Sequence, residues 1–142
     1  MSNPAVRGRG ASENPANRFH STVYERDPAP PEPGPRTTFI DDHSKSLITY
    51  NDSPDVGFDA GINPYRGCEH GCIYCYARPL HEYLGFSSGL DFESKIMVKH
   101  RAPVLLRDEL TAKKWKPQVV GVSGATDPYQ PAEHRFRLTR AC

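Results

Sequence analysis

The chain has 142 residues, a formal net charge of +1 and 25% charged residues, which is typical of a globular protein with room for one modest core. Its longest apolar runs, such as Val104-Leu105-Leu106, are far shorter than the roughly 20 residues that cross a bilayer, so the sequence predicts no membrane partner. Arg7 and Arg9 have no apolar stretch behind them, and we therefore expect no secretory signal and a cytoplasmic location.

The first 45 residues have the composition of a disordered arm. Half of the chain's 14 prolines lie before residue 37, among small, polar and charged residues that bury too little apolar surface to offset the entropy of ordering. Residues 27–35 are expected to form an extended polyproline-like spacer, because proline fixes φ and removes a backbone donor. The sequence thus divides into a disordered arm with Pro, Gly and Arg at 1–45 and a folded unit at 46–142.

The folded unit opens with strand and loop signals. Residues 47–50 form a strand candidate, and residues 61–67 predict a strand that runs into a glycine-bounded loop. A helix is predicted over 77–84, with Pro79 tolerated in its first turn and Gly85 ending it. A further strand is predicted at 95–99.

The second half continues the alternation of strand and helix. Residues 103–116 predict an amphipathic helix, residues 118–123 a buried strand, and a last helix begins near Pro131. The buried side of the first of these helices is expected to comprise Val104, Leu105, Leu106, Leu110 and Trp115. Alternating elements imply an α/β fold with a parallel sheet. A complete α/β barrel needs about 250 residues, so we expect the front part of a larger domain that does not fold robustly alone.

Three cysteines stand in the loop after the second strand with the spacing C-x-x-x-C-x-x-C: Cys68, Cys72 and Cys75. Gly67 and Gly71 permit the tight turns that let a short loop wrap around a compact inorganic body. Thiolates suit iron–sulfur clusters, zinc or copper(I), and a disulfide is disfavoured by the odd number and the reducing compartment. Structural zinc requires a fourth ligand, for which His70 or His81 is the nearby candidate. A cluster with three cysteine ligands leaves one iron open, which favours catalysis.

The three cysteines, with Tyr74 immediately before the third, resemble the signature of the radical S-adenosylmethionine (SAM) superfamily. The wider frame from Asn63 to Tyr76, together with residues 123–131, is similar to a bacterial branch related to spore photoproduct lyase and to DNA-repair photolyase-like proteins. The resemblance covers about residues 46–142. It implies that this part is the N-terminal portion of a partial (β/α) TIM-like radical SAM barrel.

The resemblance also implies a chemistry. Cys68, Cys72 and Cys75 would hold a [4Fe-4S] cluster, and SAM would chelate the fourth iron and be cleaved reductively to a 5′-deoxyadenosyl radical that abstracts hydrogen from substrate. Tyr74 would lie near the adenine. An electron donor such as flavodoxin or ferredoxin is implied as a partner, and damaged DNA as the substrate.

The second cofactor segment implied by the resemblance is Ser123-Gly124-Ala125-Thr126-Asp127-Pro128. Related proteins carry a Gly-Gly-Glu-Pro-like loop here, at the carboxyl end of a strand, that meets the amino group of SAM. Gly124 fits the close approach, and Thr126 or Asp127 would replace the carboxylate. Two other hypotheses remain open: a zinc-binding structural or nucleic-acid module, and an inactive fragment that retains the cluster loop.

Overall fold

The computed structural model describes residues 10–19 and 36–142. Within these residues the strands are β1 (Thr38–Asp41), β2 (Ile48–Tyr50), β3 (Ala60–Ile62), β4 (Tyr65–Arg66), β5 (Lys95–Val98) and β6 (Val120–Val122). The helices are a 3-10 helix (Arg78–Leu84), α1 (Leu90–Ser94), α2 (Ala102–Leu110), α3 (Ala132–Phe136) and α4 (Leu138–Ala141). No helix in this part of the chain is both long and apolar enough to cross a bilayer.

The strands form two small mixed sheets rather than the single parallel sheet that the alternation predicts. One has the order β1-β5-β4, with β1 parallel and β4 antiparallel to β5. The other has the order β2-β3-β6, with β2 antiparallel and β6 parallel to β3. The short connection between β2 and β3 has no crossover helix, and strands joined in that way pair antiparallel. The described residues close no barrel, and the partial barrel stays a prediction.

Each sheet buries apolar side chains against helices. The second sheet packs on α2 through a cluster made of Leu47, Ile48, Ala60, Ile62, Ala102, Leu105 and Leu106. The first sheet packs on α3 and α4 through Tyr65, Ile96, Val98, Ala132 and Leu138. A third, small cluster joins Cys68, Ala77 and Phe92, so the first cysteine is itself part of the packed interior.

Two predicted helices differ from the observed ones. The segment after the cysteines is a 3-10 helix, the form usual for short pieces, and it ends at Gly85 as predicted, with φ 80°. α2 ends at Leu110 instead of Lys116. A continued helix would carry Trp115 roughly 140° around the axis from Ala102. The chain instead turns after Thr111, and Trp115 packs beside the α2 core.

Two of the residues expected on the buried side of α2 lie outward. Leu105 and Leu106 are buried, whereas Val104 and Leu110 are exposed. β6 is also less buried than predicted: Val122 within it and Val119 directly before it are both exposed. It is an edge strand whose one neighbour among the described residues is β3, so only Val120 packs against the core.

Parts of the predicted arm belong to the folded unit. β1 precedes the predicted boundary at residue 46 and pairs with β5 along its whole length. Residues 10–19 lie against the 3-10 helix and α1, as described below. The predicted polyproline-like spacer at 27–35 lies outside the described residues.

Candidate metal and cofactor site

The cysteine loop leaves β4 through two left-handed turns. Gly67 has φ 81° and Gly71 has φ 63°, conformations that cost other residues about 1–2 kcal/mol. All three cysteines of the loop are free thiols; Cys68 is buried, and Cys72 and Cys75 are half-buried. The loop therefore presents its thiols on a backbone that the two glycines make possible.

Two polar side chains that the sequence analysis missed fix this loop. The buried Gln130 donates from Nε2 to the Gly67 carbonyl at 3.1 Å and accepts from the Glu69 N–H at 3.2 Å. Arg78 donates from Nε to the Cys72 carbonyl at 3.0 Å. No spacing rule identifies Gln130, but a charged residue three positions after Cys75 was a usable signal for Arg78.

Glu93 links the loop to the N-terminal segment 10–19. Its side chain is fully buried and pairs with Arg78, and its carboxylate oxygens accept from the N–H groups of Gly10, at 3.2 Å, and Ala11, at 2.9 Å. A Cβ on Gly71 would stand 2.8 Å from Glu93 Oε2 and 3.1 Å from the nitrogen of Gly10. The cysteine loop, α1 and the N-terminal segment thus meet around one buried carboxylate.

The second predicted segment follows β6. Ser123 has φ 85° and Gly124 has φ 130°, and the Ser123 hydroxyl donates to the Thr126 carbonyl. The Ala125 N–H donates to Asn63 Oδ1 at 3.1 Å, and Thr126 is buried, with its hydroxyl 3.5 Å from the Tyr65 carbonyl. These bonds hold the loop against the chain between β3 and β4.

The cysteine loop and the second segment face one cavity of about 270 Å³. Its lining is Cys68, His70, Cys72, Cys75, Tyr76, Ala77, Ser123, Gly124, Ala125, Thr126, Asp127 and Pro128. The Tyr76 hydroxyl donates to the Gly124 carbonyl, and His70 Nε2 is 3.4 Å from Asp127 Oδ2. Two segments separated by about fifty residues therefore form opposite walls of the same space.

The environment of Cys68 differs from that of an exposed thiol. Burial raises the pKa of the Cys68 thiol, although N–H groups of Asp127 and His70 hydrogen-bond the sulfur and act in the opposite direction. A cation bound at the sulfur would reverse this effect, because a coordinating thiol is deprotonated outright.

The donor set and the cavity fit a thiolate-bound iron–sulfur group. Three soft donors line one space, and nothing lies within 4 Å of the position that a Cβ on Gly124 would occupy, which leaves the opposite wall open to a ligand. Within residues 10–19 and 36–142, no three His, Cys, Asp or Glu side chains are gathered closely enough to hold a single metal ion.

Not every predicted residue lines this space. Tyr74 is 86% exposed and is absent from the lining, so its position at the adenine stays a prediction. Cys142, which was not predicted to belong to the site, is exposed at the end of α4 and lies outside the cavity. Cys68, Cys72, Cys75, Ser123, Gly124, Thr126 and Asp127 are all brought together.

Comparison with known proteins finds relatives whose functions are not described. The chain is 48% identical over 77 residues to uncharacterized proteins of Mycobacterium tuberculosis and Mycobacterium bovis, an alignment that covers 54% of this chain and 23% of each relative. It is 33% identical over 79 residues, or 56% of this chain, to an uncharacterized protein of Methanocaldococcus jannaschii, of which it covers 27%. The chain thus spans about a quarter of the length of these relatives. No family model and no solved structure matches it.

Proposed function

We propose that this chain is the N-terminal part of a radical SAM enzyme in which Cys68, Cys72 and Cys75 hold a [4Fe-4S] cluster. The observation that carries the proposal is the shared cavity, in which three cysteines with C-x-x-x-C-x-x-C spacing face the loop after β6. When bound, the cluster supplies the electron that cleaves SAM to methionine and a 5′-deoxyadenosyl radical, which takes hydrogen from a substrate.

The chain's own residues have distinct tasks in this proposal. Four residues hold the thiols in place, because they fix the loop backbone around Cys68 and Cys72. They are Gln130, Arg78, Gly67 and Gly71. Asp127, which is half exposed beside His70, would bind the amino group of SAM. Thr126 is the weaker candidate, since its hydroxyl is directed to the Tyr65 carbonyl.

Gly124 and Tyr76 would shape the space for the nucleoside. A positive φ and the open volume beside its Cα allow a ligand to approach the backbone of Gly124 closely. Tyr76 extends from the cysteine loop, and its hydroxyl donates to the Gly124 carbonyl. When the cofactor binds, this side chain would either move aside or stay in place and separate the cofactor from solvent.

The wider function belongs to the same proposal. An electron donor such as flavodoxin or ferredoxin would reduce the cluster, and damaged DNA would be the substrate, as implied by the similarity of residues 63–76 and 123–131 to photolyase-like proteins. Substrate contacts in barrels come from several strand ends. Most of those would lie in the parts of the longer relatives that this chain does not cover.

Metal content tests the proposal. We expect the chain, reconstituted anaerobically with iron and sulfide, to bind both and to show a broad visible absorbance that is lost in Cys68→Ala, Cys72→Ala and Cys75→Ala. Cys142→Ala is the matched control and keeps the absorbance, because Cys142 lies outside the cavity. Tight binding of zinc with no uptake of iron would instead establish the zinc module.

A further inference from the structure

The pairing of β3 with β6 stops at Pro64. The last bond of this ladder runs from the Ser123 N–H to the Ile62 carbonyl, at 2.9 Å. In a continued parallel ladder, residue 64 would donate to the Ser123 carbonyl and accept from the Ala125 N–H. Pro64 has no N–H to donate, and its carbonyl accepts instead from the Lys99 N–H at 3.0 Å. The Ala125 N–H therefore needs another acceptor.

The side chain of Asn63 supplies that acceptor. Its Oδ1 accepts from the Ala125 N–H at 3.1 Å, directly after the two residues with positive φ, Ser123 at 85° and Gly124 at 130°. A short amide side chain that takes the place of a backbone partner is a usual role of Asn where a chain leaves regular structure. Asn63 thus fixes the backbone at the point where the chain has turned out of β6.

The other bonds of this segment act on its neighbours rather than on the Ala125 N–H. The Ser123 hydroxyl donates to the Thr126 carbonyl, which closes the segment on itself. Tyr76, an exposed side chain, donates to the Gly124 carbonyl. The position of residues 124 and 125 relative to β3 therefore depends on the side chain at the end of that strand.

This hydrogen bond lies between two cavities. Ala125 lines both the cysteine cavity and a second cavity of about 420 Å³, and Asn63 lines the second. Without the Asn63 acceptor, the Ala125 N–H would favour a backbone conformation in which it finds another partner. Gly124 can adopt such conformations readily because it has no Cβ, and the second cavity provides the space for the shift.

We propose that Asn63 is a positioning residue for SAM, which holds the backbone of Gly124 and Ala125 as one wall of the cofactor site. The inference rests on the proposed function. The bonds that hold the cysteine loop come from Gln130 and Arg78 and do not involve Asn63. Loss of the Asn63 side chain should therefore weaken the binding of SAM and leave the iron and sulfide content unchanged.

Amide hydrogen exchange of the full chain, prepared without iron, tests the structural step. We expect faster exchange at the Ala125 amide in Asn63→Leu, which has a similar size and no acceptor, and wild-type exchange in Asn63→Asp, which keeps an oxygen acceptor. If Asn63→Leu does not fold, Asn63→Ala takes its place with the same expectation. Unchanged exchange at Ala125 in the variant without an acceptor would overturn the inference.

Equilibrium dialysis of radiolabelled SAM against the reconstituted chain tests the functional step. We expect Asn63→Leu to bind SAM about tenfold more weakly than wild type, as the loss of one hydrogen bond predicts, with the same content of iron and sulfide. Asn63→Asp should bind like wild type. Asn51→Leu is the matched control and should also bind like wild type, because Asn51 Oδ1 accepts from the Ser53 N–H, likewise at 3.1 Å, but Asn51 lines neither cavity.

The outcomes separate this inference from the proposed function. Equal affinity for SAM in Asn63→Leu and Asn51→Leu would overturn the inference alone. So would a loss of iron from Asn63→Leu, or an Asn63→Asp variant that binds SAM as weakly as Asn63→Leu. A wild-type chain that binds no SAM would overturn both.

Discussion

Gly67 and Gly71 are the residues on which the shape of the cysteine loop most directly depends. A Cβ on Gly67 would stand 2.8 Å from the Phe92 carbonyl oxygen, the same oxygen that accepts from the Cys68 N–H at 2.9 Å. We expect Gly67→Ala to lower the free energy of unfolding by about 2 kcal/mol or more, because it adds this clash to the cost of a positive φ.

Urea denaturation measures this effect against Gly57→Ala, where the added Cβ meets nothing within 4 Å. That control should be neutral or stabilising by up to about 1 kcal/mol. Equal free energies of unfolding for the two variants would show that the left-handed turn at Gly67 is not required.

His81 gives stability a dependence on pH. Burial holds its pKa in the folded chain at about 4, below the value near 6.5 in the unfolded chain. The unfolded state therefore binds more protons between these values, and stability that is complete above pH 6.5 is lost as the pH falls towards 4. From pH 7 to pH 5 we expect a loss of about 2 kcal/mol from this residue.

His81→Gln removes the titrating group, so its free energy of unfolding should change less over this interval than that of wild type. Urea denaturation at pH 7 and pH 5 makes the comparison. If the free energy of unfolding changed equally in the two proteins between pH 7 and pH 5, the imidazole of His81 would not be neutral and buried in the folded chain.

At the scale of elements, the N-terminal segment 10–19 acts as a strap across the cysteine loop and its supporting helices. Besides the two bonds to Glu93, Asn17 donates to the Phe86 carbonyl at 3.1 Å, Arg18 pairs with Glu82 at 2.9 Å, and Phe19 stacks on Tyr83 with ring centroids 5.4 Å apart. Removal of residues 1–19 would leave the Glu93 carboxylate short of two donors.

We therefore expect faster amide hydrogen exchange over residues 68–75 when residues 1–19 are removed. Removal of residues 1–9 alone is the control, since it leaves the strap in place and should leave exchange in the loop unchanged. If both truncations exchange like the full chain, the strap does not support the loop.

The contacts of the strap could not be predicted from the sequence, unlike several of the secondary-structure elements. β2 and β5 were predictable because β-branched and apolar residues are bounded by turn residues, and Gly85 marked a helix end. Residues 10–19 have the composition of a disordered arm, yet they are held by partners 64 to 83 positions away. Such long-range bonds leave no local pattern, and the same is true of Gln130 and the packing of Trp115.

The cysteine loop and residues 123–128 were chosen as candidates for a different reason. The cysteine spacing and residues 123–128 each resemble a known signature, and the cavity brings seven of the eight residues chosen on that basis into one lining. Tyr74, the eighth, faces solvent because the loop turns it away from the cavity wall.

For the whole molecule, the open edge of β6 is the most informative feature. Val119 and Val122 are exposed there, and the chain spans about a quarter of the length of its relatives. If the partial barrel is correct, a further strand pairs with β6 and covers these valines. A version extended past Cys142 to the length of the relatives should then melt at a higher temperature and protect the β6 amides from exchange.

Unchanged exchange at the amides of β6 in the extended version would argue against a barrel that continues from this strand. The measurement needs no cluster, so it separates the question of the fold from that of the chemistry.

Cys68, Cys72 and Cys75 are expected to support the reductive cleavage of SAM. The most direct test is to incubate the anaerobically reconstituted protein with dithionite and SAM and to assay 5′-deoxyadenosine, beside Cys72→Ala and Cys142→Ala. We expect 5′-deoxyadenosine from the wild type and Cys142→Ala, and none from Cys72→Ala. A wild-type protein that carries its full complement of iron and sulfide but forms no 5′-deoxyadenosine would contradict it.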